Sequence, residues 1–477
     1  MSGFRSGKIL DNFDGKAPLD GFFFERYISR RRSNYAKRSK KTLMNRIFMA
    51  LTVAIFMVVT FPFLTATTGL ALASAPDTTE ARPIDPPPQK DHLGPLDIIE
   101  ELLTLPFYVI KGGLWVTTEV ASEGIRIAQK FRSRRERGAL TPKFSYGSNS
   151  GLELGAKLAL IRPDSSEDYL FLKGSYSTNE YQDHYLKFWN PSLLGQNTGL
   201  RATVRYTNEK RERFYGIGDS TFRKDKVAYT LENTAARISV EFRPRSGITV
   251  SPVFQYTVAN LFDGDDPNLK GRIDTIATKF ALDTADIRSA RLWSLGVELF
   301  HDSRNHPSKP TKGGVESFSI HYVRGVDRTD DLKAATVRLD MWRFFELYRK
   351  RTLAFRVLIE SVEYADASPD FPFYLLPTLG GQKNLRGFRT DRFRDNGLAL
   401  LTAEYRYPIW MTVDAFLFFD YGQVFNDLQD DFEFRNWNSS YGLGIRVWQK
   451  DGVILRTTFG RSDEGSRFYL EFGEDVL

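Results

Sequence analysis

Residues 400–410 read LLTAEYRYPIW, and the alternation in this stretch decides the fold. In an extended chain successive side chains point to opposite faces, so Leu401, Ala403, Tyr405 and Tyr407 share one side and Thr402, Glu404 and Arg406 the other. The same period of two runs through ATVRLDMW (335–342), LAFRVLIE (353–360), YGLGIRVW (441–448) and GVILRTTFG (452–460). RPDSSED, FDGDDPN and DGV punctuate these runs as turns. Each strand therefore joins a uniformly apolar face to one carrying Arg, Asp or Glu. A water-soluble sandwich alternates too, with its apolar face packed and its polar face outside. Tyr and Trp near the strand ends and glycines on the polar face favour a transmembrane antiparallel β-barrel, apolar toward lipid and polar toward the lumen. Residues 141–477, at roughly 20 per strand with its connection, make about sixteen strands.

Composition agrees. The mean hydropathy of −0.35 excludes a bundle of membrane helices but not a barrel, whose alternating faces average out. Cysteine is absent, so there is no disulfide framework, thiolate metal site or cysteine nucleophile. The net charge of +7 suggests nucleic acid until it is located. Residues 1–46 hold twelve Lys/Arg against four Asp/Glu, which leaves the remainder at −1, so no basic domain exists to bind nucleic acid.

The start of the chain reads as an address. No charge occurs from Ile47 to Ala75, and ALA at 71–73 supplies a small-x-small cleavage pattern. Residues 1–73 are expected to be a secretory signal peptide with a long basic leader, and Met44 is an alternative start. Residues 74–95 are a Pro-rich linker. Residues 96–140 repeat apolar positions at helical spacing and form an amphipathic helical segment.

Five ordered motifs resemble the BamA/TamA family of outer-membrane barrels, also called the bacterial surface antigen family. They are FYGIGDST (214–221), HDSRNHPSKPTKGG (301–314), LRGF (385–388), FFDYGQVF (418–425) and the closing RTTFGRSDEGSRFYLEFG. The resemblance implies a sixteen-stranded barrel in the outer membrane of a Gram-negative bacterium, with its sixth extracellular loop folded back into the lumen. Carried over, Gly380, Gly381, Leu385, Arg386, Gly387 and Phe388 form the loop motif. Phe418, Asp420 and Gly422 form the strand that faces it, and Asp302, Arg304, Pro307, Pro310 and Gly313 form the hairpin motif. Alternation supports the pairing, since it turns Phe418, Asp420 and Gly422 inward and Leu417, Phe419 and Tyr421 toward lipid. A guanidinium in a narrow lumen needs a carboxylate, so Arg386 is expected to pair with Asp420, with Gly422 leaving room and Gly387 letting the backbone turn. The chain departs from the pattern twice. About 67 residues separate signal from barrel, too few for a POTRA domain of about 75, and the last strand runs past Phe472 as GEDVL.

The functions implied are outer-membrane biogenesis, or insertion or translocation of a protein or lipid; a passive pore or structural barrel is the alternative. The expected partners are outer-membrane lipid and a client protein or periplasmic partner. No cofactor, metal or catalytic residue is expected, and the chain does not read as an enzyme. No Gly-x-Ser-x-Gly elbow accompanies His92, His184, His301, His306 or His321, and the resemblance accounts for HDSRNH without a metal. KFSYGSNSGLELGAKLAL (143–160) reads as the first strand region, weakened by Gly147, Gly151 and Gly155, and pairs with FYLEFGEDVL to close the barrel. Lys143 is expected opposite a residue near Glu471.

Overall fold

The computed structural model describes residues 139–472 apart from 148–149, 162–167, 267–268, 284–285, 330, 366–370, 428–436 and 450–451. The signal peptide, the linker and nearly all of the helical segment lie outside the described residues. Sixteen strands follow in order. The first eight are β1 Ala139–Gly147, β2 Gly151–Ile161, β3 Asp168–Ser177, β4 Gln182–Gly195, β5 Thr198–Phe214, β6 Val227–Arg245, β7 Ile248–Asp266 and β8 Ala290–Asp302. The rest are β9 Gly313–Gly325, β10 Lys333–Glu346, β11 Thr352–Tyr364, β12 Gly397–Trp410, β13 Val413–Phe425, β14 Asn438–Gln449, β15 Gly452–Ser462 and β16 Gly465–Phe472. Each pairs antiparallel with the next and β16 pairs with β1, so the sheet closes into a barrel without an edge.

The faces fall as the alternation requires. Leu172, Leu186, Val204, Phe254, Leu295, Leu401 and Phe419 are exposed on the outside, where a soluble sandwich would carry its charges. Inside lie buried Lys173, Asp183, Glu404, Arg406, Asp420 and Arg446. An apolar exterior around a charged interior is the arrangement lipid demands, because the closed ladder satisfies every backbone group within the wall.

Both ends of the described chain lie at the rim bearing the shorter connections, which in such barrels is the periplasmic one. Long connections occupy the other rim. One carries the helix α1, Ile273–Phe280, and another spans 365–396 between β11 and β12. Ile276 of α1 packs with Phe214, Tyr229, Phe373 and Tyr374, an apolar cluster that ties helix, strand tips and long loop together at the extracellular mouth.

The first strand region differs from expectation. Residues 143–160 belong to two strands rather than one, β1 and β2, which pair antiparallel with Gly147 opposite Gly151, and Gly151 takes a φ of +70°. The Ser-Asn-Ser-Gly run is a turn signal that strand-like flanks obscured. Across the seam Glu471 pairs with Ser145 and Phe472 with Phe144, next to Lys143.

Candidate functional site: a loop held inside the lumen

The segment 371–396 turns back into the barrel, and its tip rests against the inner wall of β11–β16. Gly380 and Gly381 have φ of +115° and +95°, which side chains rarely tolerate, and they start the inward turn. The other left-handed residue at the tip is Leu385, with φ of +51°, rather than Gly387. Leu385 bears that strain because its side chain is fully buried with Leu358, Leu379, Phe388 and Leu400. Gly387 serves close approach instead. A Cβ there would lie 2.6 Å from the Arg461 backbone and from the Ser440 side chain. A Cβ on Gly422 would come within 3.1 Å of Leu379.

The tip arginine enters a prepared cage. Arg386 Nε donates to Asp420 Oδ2 at 2.8 Å and Nη2 to Oδ1 at 2.7 Å, a two-pronged pair. Its backbone N–H donates to the same carboxylate at 3.0 Å, and Thr402 Oγ1 donates at 2.9 Å. The guanidinium lies 3.7 Å from the centre of the Phe418 ring. Phe418, Asp420 and Gly422 lie on the wall beside the loop.

Glu404 completes the cage. Arg386 Nη1 donates to Glu404 at 2.6 Å, and the same carboxylate lies 3.0 Å from Arg406, 3.5 Å from Arg446 and 3.8 Å from Arg456. Four guanidiniums thus surround one carboxylate that is 1% exposed. The polar face of LLTAEYRYPIW already carries Glu404 and Arg406, but nothing local in the sequence indicates that they meet residue 386.

Further along, Arg392 donates to Glu464 at 2.7 Å and to both oxygens of Thr221, while Gly218 N–H donates to the Arg394 carbonyl at 2.7 Å. Asp219 accepts from Val424 N and Asn438 Nδ2. Ser462 Oγ donates to the Gly387 carbonyl at 3.0 Å. Four of the five motifs therefore converge on this loop.

The fifth sits at the opposite, periplasmic end. There Arg304 holds Asp302 through Nε at 2.9 Å and Nη2 at 2.6 Å, and donates to the Pro307 carbonyl. Gly313 starts β9 with φ of +85°, and Pro310 is buried. Lys309 reaches Asp414 at the base of β13, 2.7 Å away, and lies over the Trp448 ring. The hairpin thus leans under the lumen toward β13 and β14.

With closure, inward loop and motif order in place, the sequence profile of the Omp85 superfamily domain matches residues 167–475. The chain belongs to the Omp85 superfamily. Among solved structures, this Omp85 barrel is similar to BamA of Haemophilus ducreyi lacking POTRA domains 1–3, at 16% identity over 71% of this chain and 70% of that one, with a TM-score of 0.53. CdiB of Acinetobacter baumannii is 14% identical over 70% of this chain and 59% of its own, with a TM-score of 0.46. CdiB of Escherichia coli is also 14% identical, over 70% of this chain and 62% of its own, with a TM-score of 0.46. No curated protein matches the sequence. The protein is an outer-membrane barrel of a Gram-negative bacterium.

Proposed function

We propose that this Omp85 barrel acts in outer-membrane biogenesis, inserting or translocating a protein or lipid at the seam between β1 and β16 rather than through a wide pore. The observation that supports this reading is the shortness of the seam. Among the described residues only Phe144–Phe472, Ser145–Glu471 and Tyr146–Leu470 are paired across it, whereas β1 and β2 share nine paired positions and β9 and β10 share twelve. A ladder with so few pairs parts at the lowest cost of any in the barrel, and parting presents an unpaired edge to an incoming strand or thins the adjacent lipid. The loop held by Arg386 narrows the lumen, reaching β16 where Tyr469 Oη donates to the Phe388 carbonyl at 3.1 Å, which favours traffic at the wall. In this reading Arg386, Asp420 and Glu404 are structural locks and the protein has no enzymatic role. Three of the described histidines have other engagements: His301 Nδ1 lies 2.7 Å from Glu316, His321 Nε2 lies 3.3 Å from Glu298, and His184 stacks on Tyr206.

A seam disulfide tests the proposal. Ser145 and Glu471 are direct cross-strand partners, close enough for a disulfide between cysteines. The oxidised Ser145→Cys/Glu471→Cys protein should fail to complement loss of the gene, and reductant should restore function. Full function of the oxidised protein would show that the seam stays shut in normal work.

A further inference from the structure

The inward loop leans on β11–β16 and leaves the opposite side of the lumen open. A polar cavity of about 1070 Å³ runs there along β1–β7. On β5 its lining extends from Arg201 to Glu212. Eleven residue steps of about 3.3 Å, on a strand tilted about 40°, rise about 28 Å along the barrel axis, enough to match the apolar band of the membrane. Dividing volume by length gives a mean width of about 7 Å, room for a hydrated ion but not for a folded protein.

The charges on this wall are unevenly placed. Nine Lys/Arg and six Asp/Glu line the cavity, and Glu209, Glu212 and Asp391 lie in its outer part. The stretch nearer the periplasm carries six cations, Lys143, Lys173, Lys187, Arg201, Arg205 and Arg237 on strands β1 and β3–β6, with Glu153, Asp183 and Glu471 in the lining and Glu241 and Glu298 beside it. Lys157 on β2 sits directly opposite Lys173, and like charges in that position destabilise a sheet. Lys157 and Lys187 approach the Phe171 ring at 5.1 and 5.3 Å. Lys173 and Arg205 share the single carboxylate of Asp183, at 2.5 and 2.8 Å. Arg201 and Arg237 have Glu241 and Glu298 as partners. A band of cations on six neighbouring strands is costly to assemble for structure alone, and inside a low-dielectric wall it concentrates anions.

We propose that this side of the lumen is a conducting path selective for small inorganic anions, chloride and phosphate among them. The path borders the seam, with Ser145, Tyr146, Tyr469 and Glu471 in its lining, but its cation band extends over β1–β6 and a closed β1–β16 pairing leaves it intact.

The test is the reversal potential of the full-length protein in planar bilayers, under a KCl gradient and then a potassium phosphate gradient. Anion preference is expected in both, and the oxidised Ser145→Cys/Glu471→Cys protein should keep or strengthen it, since that variant removes the Glu471 carboxylate from the lining. Lys187→Glu should lower the chloride-to-potassium permeability ratio about threefold, an effect of two charge units acting across a screened, water-filled path. Lys187→Gln should fall between, and it carries the test alone if Lys187→Glu does not fold. No conductance above that of the bare bilayer, a cation preference, or a ratio insensitive to residue 187 would each overturn the proposal.

Discussion

Replacing Arg386 with alanine removes three charge-assisted side-chain hydrogen bonds, two to Asp420 and one to Glu404, from a site that is 4% exposed. At about 1.5–3 kcal/mol for each bond to a charged group, their gross loss is about 5–9 kcal/mol. Part of that is offset. Glu404 keeps Arg406, Arg446 and Arg456, while Asp420 keeps the residue-386 N–H, Thr402 Oγ1 and a longer contact from Ser440 Oγ at 3.4 Å. What remains is chiefly a buried carboxylate without its cation, so the net cost should be about 3–5 kcal/mol. Arg386→Lys should recover about half, because an ammonium cannot span Asp420 and Glu404 in one plane. Urea unfolding of the barrel refolded into lipid vesicles measures the cost, and external trypsin reports whether the loop, with Lys383 and Arg389 near its tip, has left the lumen. In the double variant Arg386→Ala/Asp420→Ala the losses should fall short of additive by about 1.5 kcal/mol or more. An unchanged unfolding midpoint with an equally trypsin-resistant loop, or additivity within about 0.5 kcal/mol, would refute the lock.

Other consequences follow from the same geometry. Glu404→Gln should lower folding yield more than Arg386→Ala, because Arg406, Arg446 and Arg456 would lose the carboxylate they share while only Arg386 keeps Asp420; heat-modifiable migration on gels measures the folded fraction. Gly460→Ala would place a Cβ 2.6 Å from the Arg386 carbonyl oxygen, and at about 1–3 kcal/mol for overpacking it should make the loop trypsin-sensitive with the ion pair residues intact. Lys309→Ala should cost about 1 kcal/mol in the urea midpoint, since the Asp414 pair is part-exposed on the lysine side and adds only a ring contact. The mature protein should begin at or near Ser74, and intact residues 1–73 in mass spectra of purified envelopes would contradict the cleavage site.

The features legible in the sequence are those with short-range causes. A period of two is a property of neighbouring residues, so Leu401 outward and Glu404 inward could be assigned from LLTAEYRYPIW alone, and the chain length then implied the strand number. Alternation also turned Asp420 to the lumen, and the order of motifs brought Arg386 to it. Only the tertiary structure decided the rest, because it depends on residues far apart in the chain. Glu404 gathers arginines at 386, 406, 446 and 456, and none of those separations follows a local period. Gly460 matters because a loop more than seventy residues earlier passes over it. The left-handed turn went to Leu385 since burial of its side chain outweighed the ease of glycine two residues on. That Ser145 is the residue meeting Glu471 across the seam follows from closure, a constraint that only the whole sheet imposes.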